Sequence, residues 1–311
     1  MKIVFFGTPE FAVPSLEMLI KEGYEVAAVV TQPDKPKGRG NKMSEPPVKE
    51  FALKYGINVL QPNKIKTSEF VEQIRSISPD LLVTAAYGKI LSKDLLAVPA
   101  LGCINVHGSL LPAYRGAAPI HWAVINGEKT TGITTMFTDV GLDTGDTLLK
   151  SELDIAPDIT EGELHDKMAI LGAEVLKNTL TQLKKESLER TPQDDALSSY
   201  APIISKELGL IDWSKTAQQI HNLVRGTDPW PGAYTFLNGN RMRIWRTSLV
   251  TYKETNQEAG EITLVSIDGI LVKCSDGGIL VKEIQFDSSK RMSVGDYIRG
   301  HQIDVGEKLG K

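Results

Sequence analysis

The first half of this chain is constrained most by a repeated pattern: short, unbroken apolar runs, each followed by a stretch with helical spacing. Residues 2–6, 25–30, 58–60, 80–85 and 103–107 are such runs. Between them, Val13, Leu16, Leu19 and Ile20 recur at helical intervals, and residues 48–55 and 70–77 repeat the pattern. A longer helix is predicted over 161–185. Strands without polar alternation are covered on both faces, and alternation with helices makes their sheet parallel. The expected fold is α/β, a Rossmann-like and mostly parallel sheet.

From residue 186 the texture changes. Residues 186–199 are polar and contain Pro192, and a helical stretch follows over 215–224. Short β-rich runs then occupy 234–237, 241–245, 260–265, 270–273 and 278–286. Asn238-Gly239 and Asp276-Gly277-Gly278 supply tight turns between them, a pattern that suits a small barrel. The expected division is a sheet domain over 1–188, a linker over 189–206 and a barrel domain over 207–311. Residues 206–311 carry 14 Lys+Arg against 13 Asp+Glu, while the whole chain has net charge −4. The second domain is therefore relatively basic, but the molecule is not a general nucleic-acid coater.

Cys103 and Cys274 form no CxxC pair and no disulfide framework. Gly7, Thr8 and Pro9 cut the first apolar run too short for a signal-peptide core, and no run reaches the roughly 18 residues of a spanning helix. A reduced, cytoplasmic protein without a membrane partner is expected.

Three segments stand out chemically. Asn105 and His107 end a predicted strand and share one of its faces. A carboxamide beside an imidazole, beyond the carboxyl end of a strand, suits acyl-group chemistry. The same pair also fits a polar strand end with a satisfied histidine. Downstream, Asp139, Asp143 and Asp146 crowd one glycine-containing loop. One of them is placed to orient His107; an Asp-rich solvated turn is the other reading. No second histidine stands at ligand spacing, so no metal is expected. Third, residues 34–47 form a long insertion carrying Lys35, Lys37, Arg39 and Lys42. It reads either as a solvated loop or as a contact for an anionic partner such as a nucleic-acid backbone. Gly7-Thr8-Pro9 is no GxGxxG turn, and neither a phosphate-binding GxxxxGK loop nor a GxSxG elbow occurs.

Asn105-Val106-His107-Gly108-Ser109-Leu110-Leu111-Pro112, then Tyr114-Arg115-Gly116-Ala117-Ala118-Pro119-Ile120, resembles the signature of formyltetrahydrofolate-dependent formyltransferases. Asp143 follows His107 by 36 residues, in the family's Leu-Asp-x-Gly loop. The resemblance implies that Asn105, His107 and Asp143 are catalytic. It implies that Ser109, Leu110, Leu111 and Pro112 line the folate site, with Ile90 and Leu91 contacting the pterin through their backbone. The formyl donor is then 10-formyltetrahydrofolate, used as co-substrate.

Gly7-Thr8-Pro9-Glu10-Phe11, Thr31-Gln32-Pro33-Asp34 and Arg225-Gly226 with 229–234 resemble the branch that formylates methionine on initiator tRNA. That branch implies an OB-like carboxy-terminal barrel that binds tRNA, and tRNA contacts from Arg39, Lys35, Lys37 and Lys42. A monomer that binds neither DNA nor membrane is expected. Two alternatives remain: formylation of a small amine, such as a nucleotide or an amino sugar, and an RNA-binding protein with a vestigial catalytic domain. The insertion and second domain speak against the first, and the intact trio against the second.

Overall fold

The first apolar run becomes β1 (Lys2–Gly7), whose residues Ile3, Val4, Phe5 and Phe6 have no exposed surface. The computed structural model describes residues 1–37, 42–251 and 256–310. Contacts divide the chain into a first unit of Met1–Pro119, Thr130–Asp154 and His165–Pro202 and a second of Ile120–Lys129, Ile155–Leu164 and Ile203–Lys311.

In the first unit β1 is followed by α1 (Val13–Lys21), β2 (Glu25–Val30), a short hairpin of β3 (Lys35–Lys37) and β4 (Lys42–Ser44), α2 (Pro47–Lys54) and β5 (Val59–Leu60). Next come α3 (Ser68–Ile77), β6 (Leu81–Ala85), α4 (Lys93–Leu96), β7 (Cys103–His107) and β8 (Arg115–Gly116). After α5 (Pro119–Ile125), which groups with the second unit beyond Pro119, come β9 (Thr130–Phe137), β10 (Thr147–Asp154), α6 (Glu161–Lys184) and β11 (Tyr200–Ala201). The main sheet has the order β10-β9-β7-β6-β1-β2-β5. Strands from β5 to β7 are parallel; β9 and β10 continue the sheet antiparallel. Val4 and Phe6 on one face of β1 pack with Phe70, Val71 and Ile74 of α3. At the end of β1 a Cβ on Gly7 would lie 2.7 Å from Ala12 Cβ, so the strand turns into the next helix only through a glycine.

Two parts of the sequence reading need correction. β9 and β10 were not foreseen. β9 is rich in threonine, but Thr131, Thr134 and Thr135 are buried. Thr134 Oγ1 donates to Ser109 O (2.7 Å), and Thr135 Oγ1 shares a proton with Thr179 Oγ1 (2.7 Å). Satisfied hydroxyls let a polar-looking run sit inside a sheet. The segment read as a linker over 189–206 is also not a free tether. Thr191 bridges Thr147, and β11 pairs with β8, both inside the first unit, which ends at Pro202.

The basic insertion forms the β3–β4 hairpin, with Lys37 opposite Lys42 and an exposed Lys35. Arg39, with Gly38, Gly40 and Asn41, lies outside the described residues. The base is pinned: Lys49 Nζ pairs with Asp34 (2.7 Å) on one side and Glu45 (2.9 Å) on the other. Hydrogen bonds from Gln61 and Lys49 hold the Asp34 carboxyl below its ordinary range.

The second unit contains α7 (Ala217–Gly226), β12 (Ala233–Leu237), β13 (Asn240–Val250), β14 (Ile262–Ser266), β15 (Gly269–Lys273), β16 (Gly278–Phe286), β17 (Met292–Ser293) and α8 (Val294–Tyr297). The strands pair antiparallel in the path β12-β13-β16-β15-β14, with β17 on β16. Asn238 (φ 50°) and Gly239 (φ 75°) form the two-residue turn between β12 and β13 that their sequence predicts. The two ends of the path are joined by the tail: Leu309 N donates to Gly260 O (2.8 Å) and Gly310 N to Phe236 O (3.0 Å). α7 opens with Thr216 and Gln219 bonding reciprocally and lays Ile220 and Val224 on the core of Ile244, Ile262, Val272, Ile279 and Val281. Its polar face is buried as well. Arg225 Nε and Nη2 donate to Asn222 Oδ1 (3.0 and 2.9 Å), and the guanidinium also reaches Ile159 O (3.3 Å) and Val124 O (3.4 Å). His221 lies between Thr247 Oγ1 (2.9 Å) and Pro157 O (3.3 Å).

Candidate active site

β7 carries Asn105 and His107 to the carboxyl end of the parallel part of the sheet, where open α/β sheets bind ligands. Asn105 is half-buried and stands opposite Thr84 of β6. Thr84 Oγ1 donates to Asn105 Oδ1 at 2.7 Å. That bond turns the carboxamide so that its NH₂ points away, and among the described residues Nδ2 has no partner. Directly below, burial pushes the Cys103 thiol up to about 12, so it is an inert core group.

His107 is 6% exposed. Its Nε2 lies 3.0 Å from Tyr114 O, and because a carbonyl only accepts, Nε2 carries the hydrogen. Nδ1 then faces Asp143 Oδ2 at 3.6 Å, beyond hydrogen-bond reach. The Asp143 carboxylate is aimed by Gly116 N, which donates to Oδ2 at 2.9 Å. Asp143 (φ 55°) and Tyr114 (φ 60°) occupy left-handed backbone, which L-residues enter at a cost. Gly116 (φ 120°) sits so close to Ala201 O that a Cβ would lie 2.6 Å away.

The structure separates the three loop aspartates. Asp139 bonds within its own turn, to Gly141 N (2.9 Å) and Thr144 Oγ1 (2.7 Å). Asp146 pairs with Arg190 at 3.0 Å. Of the three, Asp143 is the one that faces His107.

The segment after β7 divides in a way the sequence does not reveal. Ser109 Oγ donates to Ala113 O (2.6 Å), and Leu111 is 1% exposed, with its N–H bonded to Thr134 Oγ1 (3.1 Å). Lys150 Nζ donates to Leu111 O at 2.5 Å. The side chains of Ser109 and Leu111 therefore shape the turn, while Leu110 and Pro112 keep accessible surface. Similarly Ile90 is 51% exposed and Leu91 is core. Their loop is fastened by Tyr87 O, which accepts from Thr8 Oγ1 (3.3 Å) and Gln32 Nε2 (3.1 Å). Sequence reasoning overlooked Thr84, Thr134 and Gln193, whose Nε2 donates to Asp143 O at 2.8 Å. A threonine inside the apolar run 80–85 was a usable signal for the first. Among the described residues no three His, Cys, Asp or Glu side chains cluster to hold a metal.

Residues 1–180 match the family described as formyl transferase, and residues 203–302 match its C-terminal domain. The methionyl-tRNA formyltransferase of Ruminiclostridium cellulolyticum is 74% identical over the full length of both chains, and that of Acetivibrio thermocellus 60%. The N-formyltransferase from Helicobacter canadensis, solved with folinic acid and dTDP-3-aminofucose, shares the fold at TM-score 0.66. It is 20% identical, over 90% of this chain and 98% of that one. HypX from Aquifex aeolicus, solved with tetrahydrofolic acid, aligns at TM-score 0.62 and 15% identity, over 98% of this chain and 50% of its own. By these matches over both of its halves, the chain belongs to the formyl transferase family.

Proposed function

We infer that this chain transfers the formyl group of 10-formyltetrahydrofolate to the α-amino group of methionine carried on initiator tRNA. Full-length identity to relatives named for this activity supports the reading. The observation that carries the chemistry is the unspent hydrogen-bonding capacity at the end of β7: Asn105 Nδ2, a donor without a partner among the described residues, and His107 Nδ1, an acceptor of a proton facing a carboxylate 3.6 Å away.

The neutral amine attacks the formyl carbon and a new C–N bond forms. The formyl oxygen gains negative charge, and Asn105 Nδ2 donates to it. An aimed donor of this kind contributes about 3 kcal/mol to the transition state. His107, held by Tyr114 O on one side and facing Asp143 on the other, is placed to handle the proton that leaves the amine. The C–N bond to the folate breaks, and that nitrogen ends with the proton. Leu110 and Pro112, with the backbone at Ile90 and Leu91, supply the folate surface, and Ser109 and Leu111 hold its shape. The exposed Lys35, with Lys37, Arg39 and Lys42 of the insertion, provides positive charge for tRNA phosphates. A monomer working in the cytoplasm on tRNA, not DNA, completes the reading. The free, buried cysteines fit a reducing compartment.

Formyl transfer is measured with methionyl initiator tRNA beside a dTDP-amino sugar and a glycinamide nucleotide. The tRNA is expected to be the preferred acceptor by a wide margin. A higher kcat/KM for either small amine would falsify the tRNA assignment and leave the small-amine alternative.

A further inference from the structure

No side chain within the His107–Asp143 pair fixes the distance between its members. His107 Nε2 is tied to the backbone of Tyr114 and Asp143 Oδ2 to the backbone of Gly116, while the two facing atoms stand 3.6 Å apart. The separation is therefore imposed from outside. The two structures that impose it are the 114–116 backbone and the loop that begins at Asp143.

One carboxamide joins them. Gln193, half-buried in the segment after α6, donates from Nε2 to Asp143 O (2.8 Å) and Gly145 O (2.7 Å). Its Oε1 accepts from Arg115 Nε (3.1 Å) and Nη2 (2.9 Å). Both amide hydrogens and the oxygen are thus spent on two stretches of chain that are remote in sequence. The same segment holds the 114–117 backbone directly. Ser199 Oγ accepts from Tyr114 N (2.9 Å), Ser199 O from Arg115 N (2.9 Å) and Ala201 O from Ala117 N (3.0 Å).

We propose that Gln193 is a positioning residue for formyl transfer, and that residues 193–201 are a strap that sets the spacing of Asp143 from His107. The proposal rests on the assignment of those two residues to the reaction. At 3.6 Å a shift of about half an ångström separates a contact from a hydrogen bond. A fixed bridge between the two supports is what prevents that shift. Gln193 acts through Asp143 and Arg115 and touches neither substrate.

The test uses the full chain with Gln193→Ala, Gln193→Glu and His107→Ala, assayed for formylation of methionyl-tRNA. Imidazole ¹⁵N spectra are recorded alongside. Gln193→Ala is expected to lower kcat about tenfold or more, from the known cost of misplacing a reacting group, with KM for both substrates changed by about twofold at most. Gln193→Glu retains an acceptor for Arg115 but loses both donors to the 143–145 carbonyls, so it should not recover the rate. The His107 signals should move from a fixed Nε2–H tautomer toward exchange between tautomers, a change that lowered stability alone does not produce.

If His107→Ala is inactive while both Gln193 variants keep wild-type kcat, the strap is refuted and the site assignment survives. A loss confined to KM also refutes it. If His107→Ala keeps near-normal activity, both readings fall together. Should Gln193→Ala not fold, Gln193→Glu decides by the same criteria.

Discussion

Each unit buries a polar cluster, and the two clusters are built on opposite terms. In the second unit Arg225 spends its guanidinium on Asn222 and two carbonyls, and His221 bonds through both nitrogens. Asn222 Oδ1 takes a further bond from Gln218 (3.0 Å). In the first unit the Asn105 NH₂ has no partner among the described residues, and His107 Nδ1 faces a carboxylate outside bonding distance. Both hold an imidazole and a carboxamide, and His107 (6% exposed) and His221 (5%) are buried alike, so residue type does not separate them. Use of the imidazole does: both nitrogens of His221 are bonded within their own unit, which serves the fold, while His107 Nδ1 stands outside bonding distance and leaves capacity for a proton in reaction.

The contrast breaks most sharply by exchange of effects. Alanine at Asn105, His107 or Asp143 should lower turnover about a hundredfold or more and move Tm by only a few degrees. Arg225→Ala withdraws the buried donors that serve Asn222 Oδ1, Ile159 O and Val124 O and leaves a cavity, and should cost about 3 kcal/mol in chemical denaturation. Each remaining folded molecule should keep near-normal folate turnover. A trio variant that unfolds, or an Arg225 variant that folds well and loses kcat, would reverse the distinction.

Thr84→Val tests whether the free end of Asn105 is deliberately aimed. Valine keeps the shape and removes the 2.7 Å bond, leaving the carboxamide free to rotate. A fall of about tenfold in kcat with little change in KM is expected from the loss of one aimed donor's orientation. Unchanged kcat would mean that strand packing alone aims the group.

A smaller effect belongs to His221. Burial is the main reason its pKa is lowered, opposed by Pro157 O and Asp158 and reinforced by Arg225. The unfolded chain takes up a proton near pH 6.5 that the folded unit resists. The contribution of this group is therefore complete above that pH and declines as pH falls through it. All four tryptophans, Trp122, Trp213, Trp230 and Trp245, lie in the second unit, so their fluorescence follows its unfolding alone. The denaturant midpoint should drop between pH 7.5 and 5.5, and His221→Gln should flatten that slope.

Smallest of all is Asp195→Ala. Asp195 pairs with Arg115 at 2.8 Å, but its side chain is 82% exposed. Surface pairs contribute little, and kcat should stay within about twofold of wild type. A larger loss would show that Arg115 is held by its outer partner and not by Gln193.

Much of this arrangement was readable in the residues. The apolar runs located β1, β2, β6 and β7, and the spacing of Asn105 and His107 along one strand placed them together. The choice among three aspartates was not readable from periodicity, because it depends on where one loop backbone turns left-handed. β9 hid behind threonines whose hydroxyls are satisfied only in three dimensions. Gln193 was invisible for a related reason: its donors go to the backbone carbonyls of Asp143 and Gly145 and its oxygen to the distant Arg115, and a bond to backbone leaves no pattern in side-chain identities. The polar texture that suggested a linker is what a strap binding backbone also looks like.

Lys49 holds both feet of the β3–β4 hairpin, Asp34 on one side and Glu45 on the other. Whatever length or composition lies between those feet, the sheet meets the same two anchored ends. Doubling the length of a closed loop costs only about 0.6 kcal/mol in chain entropy. The insertion is in that sense a replaceable cassette. Its length or charge can therefore change with little disturbance to β7, the strand that carries Asn105 and His107.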